Sequence, residues 1–361
     1  MNNTNALSFL ETTFRAIYPQ DFECRQQAEA RLAQLAMPHW ALGDLLDLAV
    51  DLAGMTRTLA PPVARKKVVV MVGDHGVAAE GVSQYPSEVT SQMVHAFLRG
   101  GAAINVLARR AGAEVCVVDV GAREDFSELA RQGKLIAKKI GRGTANMVFG
   151  PAMTRTHAVM AVEAGIEVAN MLADTVDVFS TGDMGIGNTT PSTAITAVFT
   201  GKKVSELTGR GTGIDDERLL HKIAVVEKAL ARNTLNAKDG LDVLAKVGGL
   251  EIGAIAGLIL GAAAKRKPVV VDGFVAAAGA MIACSLEPFV RDYLICSHCS
   301  AEPGHAALLE KLRLRALLDL NLRLGEGTGA ALALPLVDAA VAVLTEMATF
   351  AEAGVVQAPR V

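Results

Sequence analysis

Apolar and polar positions along this chain follow two alternating patterns. Over the first sixty residues, apolar side chains recur at three-and-four spacing, which predicts helices over Asp21–Leu35 and Leu42–Leu52. The pattern then switches to short, nearly continuous apolar runs at Lys67–Val72, Glu114–Val120, Val176–Ser180, Pro268–Val271 and Tyr293–Cys296. Runs of this length, bounded by Gly, Asp and Pro, predict buried strands. Helical patterns separate them at Val89–Ala111, Arg155–Leu172, Glu217–Ala231, Leu250–Lys265 and Phe274–Ser285, and a last apolar helix is predicted over Ala330–Leu344. This alternation predicts an α/β protein with a mostly parallel sheet and right-handed crossovers. The helical N-terminus and the C-terminal third after Ser300 are expected to pack together as a smaller helical domain, residues 1–60 plus 301–361, beside a large domain of residues 61–300.

Composition narrows the function classes. Of 361 residues, 51% are apolar, 20% charged and 4% aromatic, with a formal charge of −3. That mixture suits tightly packed helices on a parallel sheet. Lys and Arg are scattered, so neither a nucleic-acid face nor a polybasic membrane anchor is expected. The first residues lack a basic start and an apolar core, and Asp338 interrupts the longest apolar run, so a soluble cytoplasmic protein without a membrane span is expected. Five cysteines (Cys24, Cys116, Cys284, Cys296, Cys299), odd in number and widely spaced, argue against a disulfide framework. Cys296-Ser297-His298-Cys299 lacks a second ligand pair, so no metal site is assigned.

Candidate chemistry gathers after the strands, where Gly stands with Asp, Ser, His or Asn. Ligands of open parallel sheets bind at that carboxyl edge. Gly182 to Thr190, with Gly185 and Gly187, forms a glycine-rich strand-to-helix turn whose free amides suit a phosphate. It is neither a Walker motif nor a dinucleotide fingerprint. A second cluster, Gly209-Arg210-Gly211-Thr212-Gly213, precedes Asp215 and the helix carrying Lys222, a point charge for the same phosphate. His75, in Gly73-Asp74-His75-Gly76, is an acid–base candidate or an orienting core histidine, and Asp272 is a ligand or a helix cap. Glu326 lies between Gly325 and Gly327 just before an apolar helix. Glycines let the backbone bring a carboxylate close to a ligand, as a catalytic base requires, although a helix start uses the same residues.

Several blocks together resemble the nicotinate-nucleotide–dimethylbenzimidazole phosphoribosyltransferase family, which assembles the lower ligand of cobalamin. They are Gly73-Asp74-His75-Gly76-Val77 with Glu80-Gly81-Val82, Gly150 to Thr154, Gly182 to Pro191, Asp239 to Leu244 with Lys246 to Gly249, Asp272-Gly273-Phe274, Ser297-His298 with Ser300-Ala301-Glu302, and Arg323 to Ala330. The ordered set spans roughly residues 25 to 350. The resemblance implies a doubly wound parallel sheet, a small helical domain built from both chain ends, and a homodimer in which that domain closes the partner's site. It also implies transfer of ribose phosphate from nicotinate mononucleotide to dimethylbenzimidazole, giving α-ribazole phosphate and nicotinate, without a cofactor. Glu326 matches the catalytic base. Asp183 matches an acidic position that is commonly Glu. Gly185, Gly211, Lys222 and Ser300 match positions around the nucleotide phosphate, and Tyr85 and Met93 stand near the base pocket.

This chain departs from the family pattern in two places. Met37-Pro38-His39-Trp40-Ala41-Leu42-Gly43 replaces a Lys-Pro-x-Gly-Ser-Leu-Gly segment, and Tyr85 and Met93 replace small or amide side chains. An aromatic ring and a sulfur favour a planar apolar base. Three other readings compete: a dinucleotide-dependent oxidoreductase, a sensor that binds without turnover, and transfer to another azole, a purine or a phenol. The first needs a glycine fingerprint after the first strand, which instead ends in Gly73-Asp74-His75-Gly76.

Overall fold

The computed structural model describes residues 8–356. Seven strands, β1 (Lys66–Gly73), β2 (Ala113–Gly121), β3 (Ile136–Ala137), β4 (Val178–Met184), β5 (Val269–Val271), β6 (Leu294–Cys299) and β7 (Ala316–Asp319), form one sheet in the order β3-β2-β1-β4-β5-β6-β7. Every pairing is parallel, and helices cover both faces. The strand order reverses between β1 and β4, so the crevice for a ligand opens where their carboxyl ends diverge. Val68 to Val72 have no exposed surface. A strand buried on both faces reads as a continuous apolar run rather than an alternating one, which is how β1 was legible.

On one side, helix Leu250–Ala264 packs on β1 and β4 and crosses helix Arg155–Leu172. Gly165 and Gly257 make that crossing close, because a Cβ at either would run into the other helix's backbone. Helix Thr328–Glu346 packs on β4, β5 and β6 and against helices Asp44–Thr56 and Ala103–Arg110. At 19 residues it is long and apolar enough to cross a membrane by length and composition, longer than the predicted Ala330–Leu344. Its apolar side is occupied by the sheet and neighbouring helices, and Asp338 pairs with Lys66 at 2.8 Å.

The two chain ends meet. Ala36 N donates to Ala348 O at 3.0 Å and Phe350 N to Gln34 O at 2.9 Å, while Arg31 Nε donates to Leu344 O at 2.6 Å.

Several elements differ from the sequence reading, which did not include the two-residue strand β3. The segment Val89–Ala111, read as one helix, is two, Glu88–Leu98 and Ala103–Arg110. Gly100 takes φ +75°, and the pair Gly100-Gly101 breaks the ladder between them. The C-terminal third is also not wholly helical, because β7 extends the sheet beside β6.

Candidate active site

Glu326 stands in a run of three left-handed residues: Gly325 at φ +87°, Glu326 at +63° and Gly327 at +93°. A non-glycine residue in this region is strained by about 1–2 kcal/mol, so its surroundings must hold it there. They do so by close approach. Gly182, in β4, lies under the Glu326 carbonyl, and a Cβ there would sit 2.5 Å from that oxygen. Gly327 lies against Val68 and Gly329 against His298, with no room for a side chain at either. The loop is thereby laid across β1 and β4, over Val68 and Gly182. The Glu326 carboxylate is 6% exposed, and its Oε2 accepts from the Ile104 N–H at 3.3 Å. Burial raises its pKa, opposed by that amide, which favours the charged form.

Asp183 ends β4 beside this loop. A Cβ on Gly325 would lie 3.2 Å from both of its carboxyl oxygens, and Asn188 Nδ2 donates to Oδ2 at 2.9 Å. Burial first, and then the Asp272 charge, push its pKa up to about 8. Burial and the neighbouring charge thus favour the protonated form of Asp183, while Glu326 beside it keeps an amide that favours its ionised form. Asp272 follows β5 with no exposed surface. Its Oδ2 accepts from Gly327 N at 3.1 Å and its Oδ1 from Ala330 N at 3.0 Å. Sequence reading left it as a ligand or a helix cap; in the fold both of its oxygens are engaged by the backbone that follows Glu326. Burial pushes its pKa up to about 6, and these amides oppose the rise.

The two glycine clusters converge on Lys222. Its ammonium is buried and donates to Thr189 Oγ1 at 2.8 Å and Gly209 O at 3.2 Å. A Cβ on Gly211, at φ +50°, would lie 3.4 Å from Nζ. Burial pulls the Lys222 pKa down to about 8, opposed by the Glu302 charge. Gly211 N donates to Glu302 Oε1 at 2.8 Å. Glu302 N donates in turn to Ser300 Oγ at 3.3 Å, and Ser300 Oγ donates to Leu322 O at 3.1 Å. Arg323 reaches from the Glu326 segment to Gly211 O at 2.9 Å, so the lysine end and the glutamate end are mechanically joined. Gly185 packs on the β1 carbonyl of Gly73 with His75 beside it. Gly187 takes φ +90° in the turn that starts helix Thr189–Thr200.

A family model described as phosphoribosyltransferase matches residues 17–355. The nicotinate-nucleotide–dimethylbenzimidazole phosphoribosyltransferase of Desulfotalea psychrophila is 59% identical over 97% of this chain and 99% of its own length. The enzyme of that name from Syntrophotalea carbinolica is 57% identical, over 97% and 99%. A crystal structure of the Thermus thermophilus enzyme of that name superposes with a TM-score of 0.88 at 47% identity, over 94% of this chain and 100% of that one. The chain belongs to this phosphoribosyltransferase family.

For this phosphoribosyltransferase-family chain, the remaining site residues from the sequence lie on and just ahead of helix Glu88–Leu98. Tyr85 is 51% exposed, ahead of helix Glu88–Leu98. Met93 is half-buried on that helix and packs on the core. Thr90 ties the helix to the β4 turn by accepting from Ile186 N at 3.1 Å. Sequence reasoning missed Ile104 and Glu251, and gave no individual role to Thr189, Glu302 or Arg323, which it held only within motif blocks; His75, read as an acid–base candidate or an orienting core histidine, pairs through Nε2 with Glu251 Oε1 at 2.6 Å. Glu251 carried a signal, being the lone charge in an otherwise apolar helix. So did Gly100-Gly101, which ends one helix and opens the next at Ile104. Among the described residues no three His, Cys, Asp or Glu side chains converge to hold a metal ion. Burial pushes the Cys296 thiol up to about 12, so it is a packed, protonated residue.

Proposed function

We propose that this chain transfers the ribose phosphate of nicotinate mononucleotide to dimethylbenzimidazole, giving α-ribazole phosphate and nicotinate, with Glu326 as the base. One benzimidazole nitrogen attacks the anomeric carbon and the glycosidic bond to the pyridinium breaks. The leaving ring departs neutral with its bonding pair, so no acid need protonate it. The proton on the other benzimidazole nitrogen passes to Glu326, a contribution of roughly 10²–10⁴-fold. Attack opposite the leaving group inverts the carbon. Lys222 and the Gly185, Gly187 and Gly211 backbone hold the phosphate, with Ser300 fixing the loop that carries Glu326, so the sugar carbon meets the base in a fixed orientation. Asp183 adds a neutral carboxyl beside the base.

The observation that carries this reading is the placement of Glu326. It is a buried carboxylate held in a left-handed conformation at the sheet's switch point, anchored by an amide that favours its ionised form. The test is to incubate the purified protein with both substrates and follow nicotinate release and α-ribazole phosphate. Glu326→Gln should keep the KM for the mononucleotide and lose roughly 10²–10⁴-fold in kcat. A variant rate near wild type at saturating substrate removes Glu326 from the base role.

The working form proposed here is a cytoplasmic homodimer without cofactor. The helices of both chain ends make a smaller unit that closes the partner's site. The exposed apolar side chains Leu320 and Leu324, just ahead of Glu326 in the chain, support that arrangement, and sedimentation equilibrium tests it. Tyr85 and Met93 bear on which base is taken, so competition among dimethylbenzimidazole, adenine and a phenol in one reaction measures that preference.

A further inference from the structure

We infer that Asp272 is a positioning residue for the reaction, holding Glu326 in its working place through the backbone on its C-terminal side; this rests on the reading of Glu326 as the base. The left-handed run 325–327 has little hydrogen bonding of its own, with Thr328 returning to Gly325 O through both its N–H (3.0 Å) and its hydroxyl (2.8 Å). Its remaining anchors come from elsewhere in the chain. Asp272 supplies one at Gly327 N and fixes the helix start just beyond the run at Ala330 N. It thereby caps the 19-residue helix Thr328–Glu346 from outside, at a terminus whose own first residues, Gly327 and Thr328, place no side-chain cap on it.

Asp272 is itself fixed by the strands on both sides. Its N–H donates to Thr181 Oγ1 of β4 at 3.0 Å, and its carbonyl accepts from Ser297 Oγ of β6 at 3.3 Å. Three adjacent strands thus set one carboxylate, and that carboxylate sets the loop carrying the base. With no exposed surface and both oxygens engaged, Asp272 holds the backbone rather than the substrate. The residue type is demanded by the chemistry. Two N–H donors need two acceptor atoms, and an asparagine in this place would turn its NH₂ toward one of them.

A double-mutant cycle of Asp272→Asn and Glu326→Gln tests this, reading kcat, the mononucleotide KM and the melting temperature of all four proteins. Asp272→Asn should lower kcat about 10–100-fold, as a displacement of about 1 Å does, with an unchanged KM. In the Glu326→Gln background it should cost nothing further in kcat, because the group it positions is gone. Its acid limb of kcat should also move down, since a loosened carboxylate is better hydrated. Equal fold-losses in both backgrounds would mean general destabilisation and overturn the inference. If Asp272→Asn does not fold, Thr181→Val, which removes only the acceptor of the Asp272 N–H, should show the same non-additive pattern at smaller size; additive losses there overturn it equally. A wild-type rate in Glu326→Gln alone sinks the base assignment and this inference with it. Loss in Glu326→Gln beside an unimpaired Asp272→Asn sinks only this inference.

Discussion

The Ile104 amide donates to the Glu326 carboxylate at 3.3 Å across 222 positions of chain. Ile104 is the second residue of helix Ala103–Arg110, so the carboxylate sits at a helix N-terminus, where free N–H groups and the helix dipole favour an anion. Burial acts in the opposite direction. Glu326 is thereby kept ionisable although it is buried.

The balance of these two effects appears in the pH profile. Glu326 accepts a proton only when ionised, so kcat should fall as pH drops through its pKa. Because burial outweighs the Ile104 amide, that acid limb should lie above the ordinary glutamate value of 4.5. A limb at or below that value in a kcat profile would contradict the geometry.

Lys222 should govern the alkaline side. Its folded value of about 8 lies below the ordinary 10.5, so the ammonium charge is lost above pH about 8 and the mononucleotide KM should rise there. Lys222→Met should raise that KM roughly 10–100-fold at neutral pH, the size of a charge-assisted hydrogen bond of about 1.5–3 kcal/mol. The same variant should melt higher at neutral pH. Below about 8 the folded chain carries the full cost of a buried ammonium, which is relieved only as pH rises toward 10.5. A flat KM across this range would move the phosphate elsewhere.

Asp183 gives the opposite slope. Its folded value is raised from 3.8 to about 8, so between those values the folded chain holds a proton that the unfolded chain has released. Its contribution is fully present below 3.8 and is lost as pH rises through about 8. Asp183→Asn, neutral throughout, should therefore gain melting temperature over wild type as pH increases across that window. Melting curves at both ends of the window check this, and a constant difference would mean Asp183 is already ionised.

Two glycines separate activity from backbone strain. Gly182→Ala places a Cβ 2.5 Å from the Glu326 carbonyl. Backbone cannot yield as a flexible side chain does, so the base should shift and kcat fall on the order of 10²-fold. Gly201, at φ +69° with nothing near its missing Cβ, is the control. Gly201→Ala should cost about 1–2 kcal/mol of stability and leave kcat alone. Denaturant melts and steady-state rates on both variants decide it.

The sequence made parts of this legible for physical reasons. Buried parallel strands are continuous apolar runs, so β1, β2, β5 and β6 could be read to within a few residues of their ends. β4 was also found, though it runs on through Thr181 to Met184, polar residues that mark the site rather than the core. The edge strand β7 was not, because Leu314 to Asp319 mixes Leu with Arg and is only half-buried. Glu326 was legible because two glycines beside one carboxylate are a local signature. Its partners were not. Ile104 acts through a backbone N–H, which has no residue type to betray it, and the Asp272 clamp exists only once β5 lies between β4 and β6. Glu302 and Lys222 are separated by eighty positions in sequence and meet only through the Gly209–Gly211 backbone.

All seven strands precede Glu326 in the chain, the last ending at Asp319. Helix Thr328–Glu346, which covers β4, β5 and β6, comes later still, so both the Glu326 loop and the cover of the sheet are among the last parts made. A chain cut short of that helix would leave one face of the sheet bare, so truncation at this end removes the fold together with the Glu326 loop.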